Sequence, residues 1–241
     1  MLRFIEAAVL ALSGLIVSFA LSWLVLASVN FLYPVWLDYG GINDAIEEYA
    51  PQNKLKPGFE HTSRDERIEA FAGINKAIHF GGEGLSDLRF VTPEMTEQPL
   101  LTAAEVQHLQ DVANLIDVGK VASVLAVIVW LILCSYFALS LRRFPSIKLQ
   151  FVSIGGVLLL ITVTVLALGP VEVFYALHVW VFPEGHQWYF YYQESLMATL
   201  MHAPYLFGWI ALELLLLTVI VCALLQGLGL KWLERMTRYW A

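Results

Sequence analysis

Charge is what this chain has least of. Only 15% of its 241 residues are Asp, Glu, Lys or Arg, against about a quarter in a soluble domain. The shortfall is uneven: residues 34–117 hold 15 of the 21 acids and 6 of the 14 bases, so the net charge of −7 averages two different materials. Nothing in that balance favours a nucleic-acid partner. Cysteine is nearly absent too. Cys134 and Cys222 both lie inside apolar runs and read as packing residues. With none elsewhere there is no disulfide framework, no CxxC redox motif and no zinc-ribbon spacing. A four-helix quinone-linked disulfide oxidase, which needs cysteines in its outer loops, is excluded. Internal repeats and low-complexity segments are also missing.

What is abundant is apolar. Hydrophobic residues make up 59% of the chain, and its mean hydropathy is +0.67. Four runs are long enough to cross a bilayer as helices, which takes roughly 20 residues: 7–29, 118–141, 151–169 and 204–228. The first is longer than a signal-peptide core and precedes no clean small-x-small cleavage site, so it reads as a retained anchor. Arg3, then Arg142, Arg143 and Lys148, then Lys231, Arg235 and Arg238 flank these runs, accompanied by only Glu6 and Glu234. The positive-inside rule therefore places both termini, the turn 142–150 and the tail 229–241 in the cytoplasm. Residues 34–117 and 171–202 share the outer face. The expected fold is an all-α integral membrane protein: four transmembrane helices, with a mostly helical extracytoplasmic domain between helices 1 and 2.

Within that outer domain, Gly40-Gly41, Pro51 and Pro57-Gly58 make 34–61 read as irregular chain, with one helical turn around Asp44–Tyr49. From Arg64, the apolar Ile68, Phe71, Ile74 and Ile78 recur at helical spacing until Gly81, Gly82 and Gly84 stop the helix. Thr102-Ala103-Ala104-Glu105 opens another helix as a capping box. Its apolar stripe of Val106, Leu109, Val112 and Ile116 leads into, or kinks at, the second span near Gly119.

Two histidines and one glutamate stand apart. His108 lies opposite much of that stripe, with Asp111 one turn on, where a carboxylate can orient or charge the imidazole. A solvated surface pair is the bland alternative. His178 sits in the apolar stretch 172–183, too interrupted for a span and too hydrophobic for a solvated loop. An imidazole there must find a partner or stay neutral, the state a general base needs. Glu172 opens this stretch, and Trp188 belongs to the aromatic belt that comes after it; both are supporting candidates, although anchoring at the head-group level explains the aromatics. Glu213 falls well inside the fourth span, where an ionisable group costs roughly 2.5–3.5 kcal/mol and marks function unless it is a hydrogen-bonded structural group. His186 and His202 read as interface residues, His61 and His79 as surface ones.

Three blocks carry a family resemblance. Glu105-Val106-Gln107-His108-Leu109-Gln110-Asp111-Val112 resembles the His-x-x-Asp-Val segment of the bacterial lipoprotein intramolecular transacylases and their wider integral-membrane family. Leu177-His178-Val179-Trp180-Val181-Phe182 is similar to that family's Phe-His-x-x-Phe-Phe segment, with Leu177 and Val181 in place of aromatics. The spacing through Gly185 and Trp188-Tyr189-Phe190 to Ser195-Leu196 also matches; residues 34–100 do not. The resemblance implies an enzyme of the bacterial inner membrane that acts on diacylglyceryl-modified lipoproteins among membrane lipids. It moves the sn-2 acyl chain to the N-terminal α-amino group and leaves a lyso-form lipoprotein. No cofactor or metal is expected, and the oligomeric state is open. The family's histidine pair carries over onto His108 and His178. His178 is assigned as base, and His108, biased towards imidazolium by Asp111, as acid; the two roles are exchangeable. Other classes compete: a haem protein ligated by His178 and His202, a metal site of His108, Asp111 and His178, or a non-enzymatic accessory protein whose outer domain binds a partner.

Overall fold

The computed structural model describes residues 2–139 and 144–239. In chain order its elements are α1 (Leu2–Ser28), α2 (Tyr33–Tyr39), α3 (Ile42–Tyr49), α4 (Arg64–His79), β1 (Arg89–Val91), β2 (Glu97–Pro99), α5 (Ala103–Leu139), α6 (Ile147–Leu168), α7 (Pro170–Val181), α8 (Leu196–Leu200), α9 (Tyr205–Cys222) and α10 (Leu230–Tyr239). A π-helical stretch, Ala223–Gly229, joins the last two. Four helical runs are long and apolar enough to cross a membrane: α1, α5, α6, and α9 continued through Met236. Helix is the required answer there, because hydrocarbon offers no partner for exposed backbone groups. The four-span, helical architecture is therefore as expected. Arg142 and Arg143, on which the short basic turn rests, lie outside the described residues.

Two expectations change. Residues 34–61 are not irregular: α2 and α3 occupy much of the stretch, and the glycine pair separates them, with Gly41 at φ +76°. A two-stranded antiparallel ribbon, Phe90 opposite Gln98, is the exception to an all-helical chain among the described residues. The capped helix and the second span form one unbroken 37-residue helix with no kink at Gly119. At about 1.5 Å per residue it is far longer than a bilayer is thick. Its continuously apolar part begins at Val118, and the more polar turns Ala103–Asp117 precede it.

The chain divides into two compact units. One comprises Met1–Val25, Gly119–Leu177 and Glu213–Ala241. Here the buried face of α1 is small and hydroxylated: Ser13, Ser18 and Ser22 each donate to a carbonyl one turn back, at 2.7, 2.7 and 2.8 Å. Gln226, 2% exposed, crosses to α1 and donates to the Leu10 and Ala11 carbonyls at 3.2 and 3.3 Å. Gly14 admits that approach, since a Cβ on it would overlap the Gln226 amide nitrogen.

The other unit comprises Leu26–Val118 and His178–Leu212. Its core gathers Tyr33, Leu37, Ile42, Ile46, Phe59, Phe71, Ile74, Leu100, Leu109 and Leu196, each large side chain contributing about 1.5–3 kcal/mol on burial. Tyr33 stacks on Phe71 at 4.1 Å and donates to the Leu200 carbonyl at 2.8 Å, tying α2, α4 and α8 together. The start of α4 is fixed by a reciprocal Ser63–Glu66 capping box.

Candidate active site

The site begins with a buried carboxylate. Glu105 is fully buried. One of its oxygens accepts the Thr102 N–H at 2.5 Å, and its own N–H donates to the Thr102 hydroxyl at 3.3 Å, completing the predicted capping box. The other oxygen accepts the Ser195 hydroxyl at 2.6 Å and the Met197 N–H at 3.0 Å. Ser195 also caps α8, accepting the Ala198 N–H at 2.9 Å. A buried carboxylate is tolerable when its lone pairs are filled in this way. From the sequence Glu105 is only half of a cap; its hold on residues 195–197 is about ninety positions away and invisible to local spacing.

One turn further along α5 stands His108. Its ring centroid is 4.8 Å from that of Phe182 and 5.7 Å from that of Phe190. His178, in the last turn of α7, packs on the same Phe182 at 5.3 Å and on Trp188 at 4.9 Å. The two predicted histidines thus share one aromatic neighbour, and Trp188 joins them. The His108 Nδ1 is buried, with no hydrogen-bond partner among the described residues. Burial, reinforced by nearby His178 and opposed by Asp111, pushes the His108 pKa down to about 4. His108 is therefore neutral at neutral pH, which corrects the expectation that Asp111 biases it towards imidazolium; desolvation outweighs the carboxylate.

Asp111 has a different partner from the one its spacing predicts. Its carboxylate lies 2.7 Å from the Nδ1 of His186, a residue read from the sequence as an interface histidine. The loop after α7 brings His186 there through a turn: its N–H donates to the Pro183 carbonyl at 3.1 Å, and Gly185 takes φ +85°. The signal was available in Pro183-Glu184-Gly185, a turn sequence placed just before a histidine. Glu105, His108 and Asp111 therefore form a stripe at three-residue intervals, each facing a different part of residues 178–197.

Glu172 is exposed in the first turn of α7, and Glu213 is half-buried within α9; both belong to the unit that holds α6. His202 packs against Tyr205 at 4.5 Å and Tyr192 at 6.1 Å, so its aromatic neighbours are not those of His178. Among the described residues no group of three or more His, Cys, Asp or Glu side chains is placed to hold a metal ion. His108, Asp111 and His178 are thus not assembled as a metal site.

The fold and the site define a polytopic helical membrane protein with two imidazoles gathered on one aromatic ring. The family model for the lipoprotein intramolecular transacylase Lit matches residues 86–205, a stretch that contains every residue of the stripe and its partners. The chain belongs to this family and its wider integral-membrane kin, and is accordingly a transacylase-type enzyme; the accessory-protein alternative is set aside. Solved structures agree in fold. The Bacillus cereus Lit carrying a histidine-to-arginine substitution superposes with a TM-score of 0.70 at 13% identity, covering 100% of this chain and 95% of that one. A histidine-to-alanine variant gives 0.69 at 14% identity, covering 99% and 96%. A further Bacillus cereus Lit structure gives 0.65 at 15%, covering 99% and 98%. No curated protein matches the chain.

Proposed function

We propose that this enzyme moves the sn-2 acyl chain of a diacylglyceryl-modified N-terminal cysteine onto that cysteine's own α-amino group, yielding a lyso-form, N-acylated lipoprotein. The observation that carries this reading is the pair of imidazoles on Phe182, one of them neutral with a buried, unpartnered nitrogen. Aminolysis of an ester starts with the free amine, whose nitrogen attacks the acyl carbon. As the C–N bond forms, that nitrogen becomes strongly acidic, so even a weakly basic imidazole accepts its proton. His108 takes it. The imidazolium so made is itself acidic because of its burial, and it hands the proton to the glyceryl oxygen as the C–O bond breaks. His178 donates to the carbonyl oxygen while negative charge develops on it. These roles reverse the assignment made from the sequence, because His108 is the desolvated group. Donor ester and acceptor amine belong to one molecule, so holding them in register supplies much of the rate.

The test is mass spectrometry of lipoprotein N-termini after incubating bacterial membranes with the purified enzyme. His108→Ala and His178→Ala should each lower lyso-form production by about 10²-fold or more while leaving the protein folded. The double variant should be little worse than either single, since groups acting as a unit are not additive. Near-normal turnover in both single variants overturns the assignment.

The orientation belongs to the same proposal: both termini in the cytoplasm of a bacterial inner membrane, the histidines on the outer face. In a cysteine-free background, single cysteines at Ser63 and Gln187 should react with an impermeant maleimide in intact cells. One at Ser146 should react only after permeabilisation. The opposite pattern inverts the topology.

A further inference from the structure

His108 and Asp111 are three residues apart on α5, a spacing at which a carboxylate reaches an imidazole. Such a pair would occupy the histidine nitrogen and stabilise its charged form. The carboxylate is instead bonded to His186 at 2.7 Å. The Asp111 side chain is 8% exposed and that of His186 34% exposed, so the carboxylate is on the protein side of the pair and the imidazole on the solvent side. In either protonation state of His186 its Nδ1 can carry the hydrogen that Asp111 accepts. The Nδ1 of His108, meanwhile, is buried and without a partner among the described residues.

From this geometry we infer that His186 is a positioning residue. It retains the Asp111 carboxylate, and so keeps that carboxylate from pairing with His108 and leaves the His108 Nδ1 available to the reacting amine. The inference rests on the transacylase reading and adds a third histidine to it. His186 touches no reacting atom and acts only through Asp111. The ionisable groups that act on His108 are His178, from α7, and Asp111, from its own helix; Asp111 in turn is held by His186, from the loop after α7. Remove His186, and the nearest ring left for Asp111 to pair with on its own helix face is His108.

The experiment reads the His108 ring directly, by NMR titration of ¹³C-labelled histidine in the full-length protein, in detergent micelles without substrate. In His186→Ala the His108 midpoint should rise by roughly one pH unit or more, the shift that an opposite charge at hydrogen-bond distance produces. His186→Asn keeps an N–H donor where Nδ1 stood, and should leave the midpoint at its wild-type position. Adding Asp111→Asn to His186→Ala should abolish the rise. In the lipoprotein assay, the acid limb of the pH–rate profile should move upward with the midpoint in His186→Ala, and return in His186→Asn. A wild-type midpoint in His186→Ala, or a rise that survives Asp111→Asn, overturns the inference. The titration needs no turnover, so a wild-type enzyme that makes no lyso-form product would sink the transacylase reading while the titration still decides the role of His186.

Discussion

Two buried side chains, one in each unit, reach across long stretches of sequence on different terms. Gln226 donates a neutral amide to two helix carbonyls of α1. Glu105 is a carboxylate that collects the Thr102 and Met197 N–H groups and the Ser195 hydroxyl. It also provides the counter-charge for Lys56, whose buried ammonium has no hydrogen-bond partner among the described residues and is pushed below the ordinary lysine range by burial. The carbonyls that Gln226 meets belong to a helix and keep their places without it. The donors that Glu105 gathers are organised by it. The difference separates a contact that fills space between helices from one that sets the geometry of a site.

The largest effect should come from breaking the second. Glu105→Ala leaves three donors and a buried cation uncompensated, which should cost about 3 kcal/mol or more and abolish turnover; Glu105→Gln should recover part of both. Thermal unfolding in detergent, run beside the lipoprotein assay, measures the pair. Next comes acid. An unfolded chain protonates His108 below its ordinary value near 6.5, whereas the folded protein resists protonation until about 4. The unfolded state therefore binds more protons in that window, and stability falls as pH drops through it, by about 3 kcal/mol in total. His108→Gln should flatten this part of the stability–pH curve; an unchanged slope would mean that the imidazole titrates normally.

Smaller effects belong to the contact between Gly14 and Gln226. Gly14→Ala sets a Cβ on top of the Gln226 amide nitrogen, so the amide must swing away, at about 1–2 kcal/mol. Gln226→Leu should change stability by less than about 1 kcal/mol, because an apolar group of similar shape replaces a donor whose acceptors are already paired. Should Gln226→Leu prove as damaging as Glu105→Ala, the contrast between the two contacts is wrong.

The spans were legible because the bilayer imposes a length and a composition that any helix must meet. The helix Arg64–His79 was legible for a similar reason: Ile68, Phe71, Ile74 and Ile78 repeat at its period. The pair α2 and α3 was not, because Gly40-Gly41 reads as a breaker of one segment when it is the joint between two, and Tyr33, Leu37, Ile42 and Ile46 then fall on separate short helices. In the candidate site, His108 and His178 were singled out by position and by motif, and both rings pack on Phe182. His186 and the second role of Glu105 were not, since pairings with Asp111 across 75 residues and with Ser195 across 90 leave no periodic trace. The protonation preference of His108 was read with the wrong sign. Sequence spacing reports which charge is near a group but not how much water it has lost.

The stripe of Glu105, His108 and Asp111 turns helical pitch into a ruler with three marks, about 4.5 Å apart along the axis. Each mark meets its own feature in residues 178–197: Ser195 and Met197, the shared Phe182, and His186. One residue inserted between Glu105 and Asp111 would rotate the rest of the helix by about 100°, so the marks could no longer all be read at once. Insertions in the turn between β1 and β2 would leave the ruler intact. Length variation in this enzyme should therefore be admitted freely outside the graduated turns of α5 and scarcely at all within them.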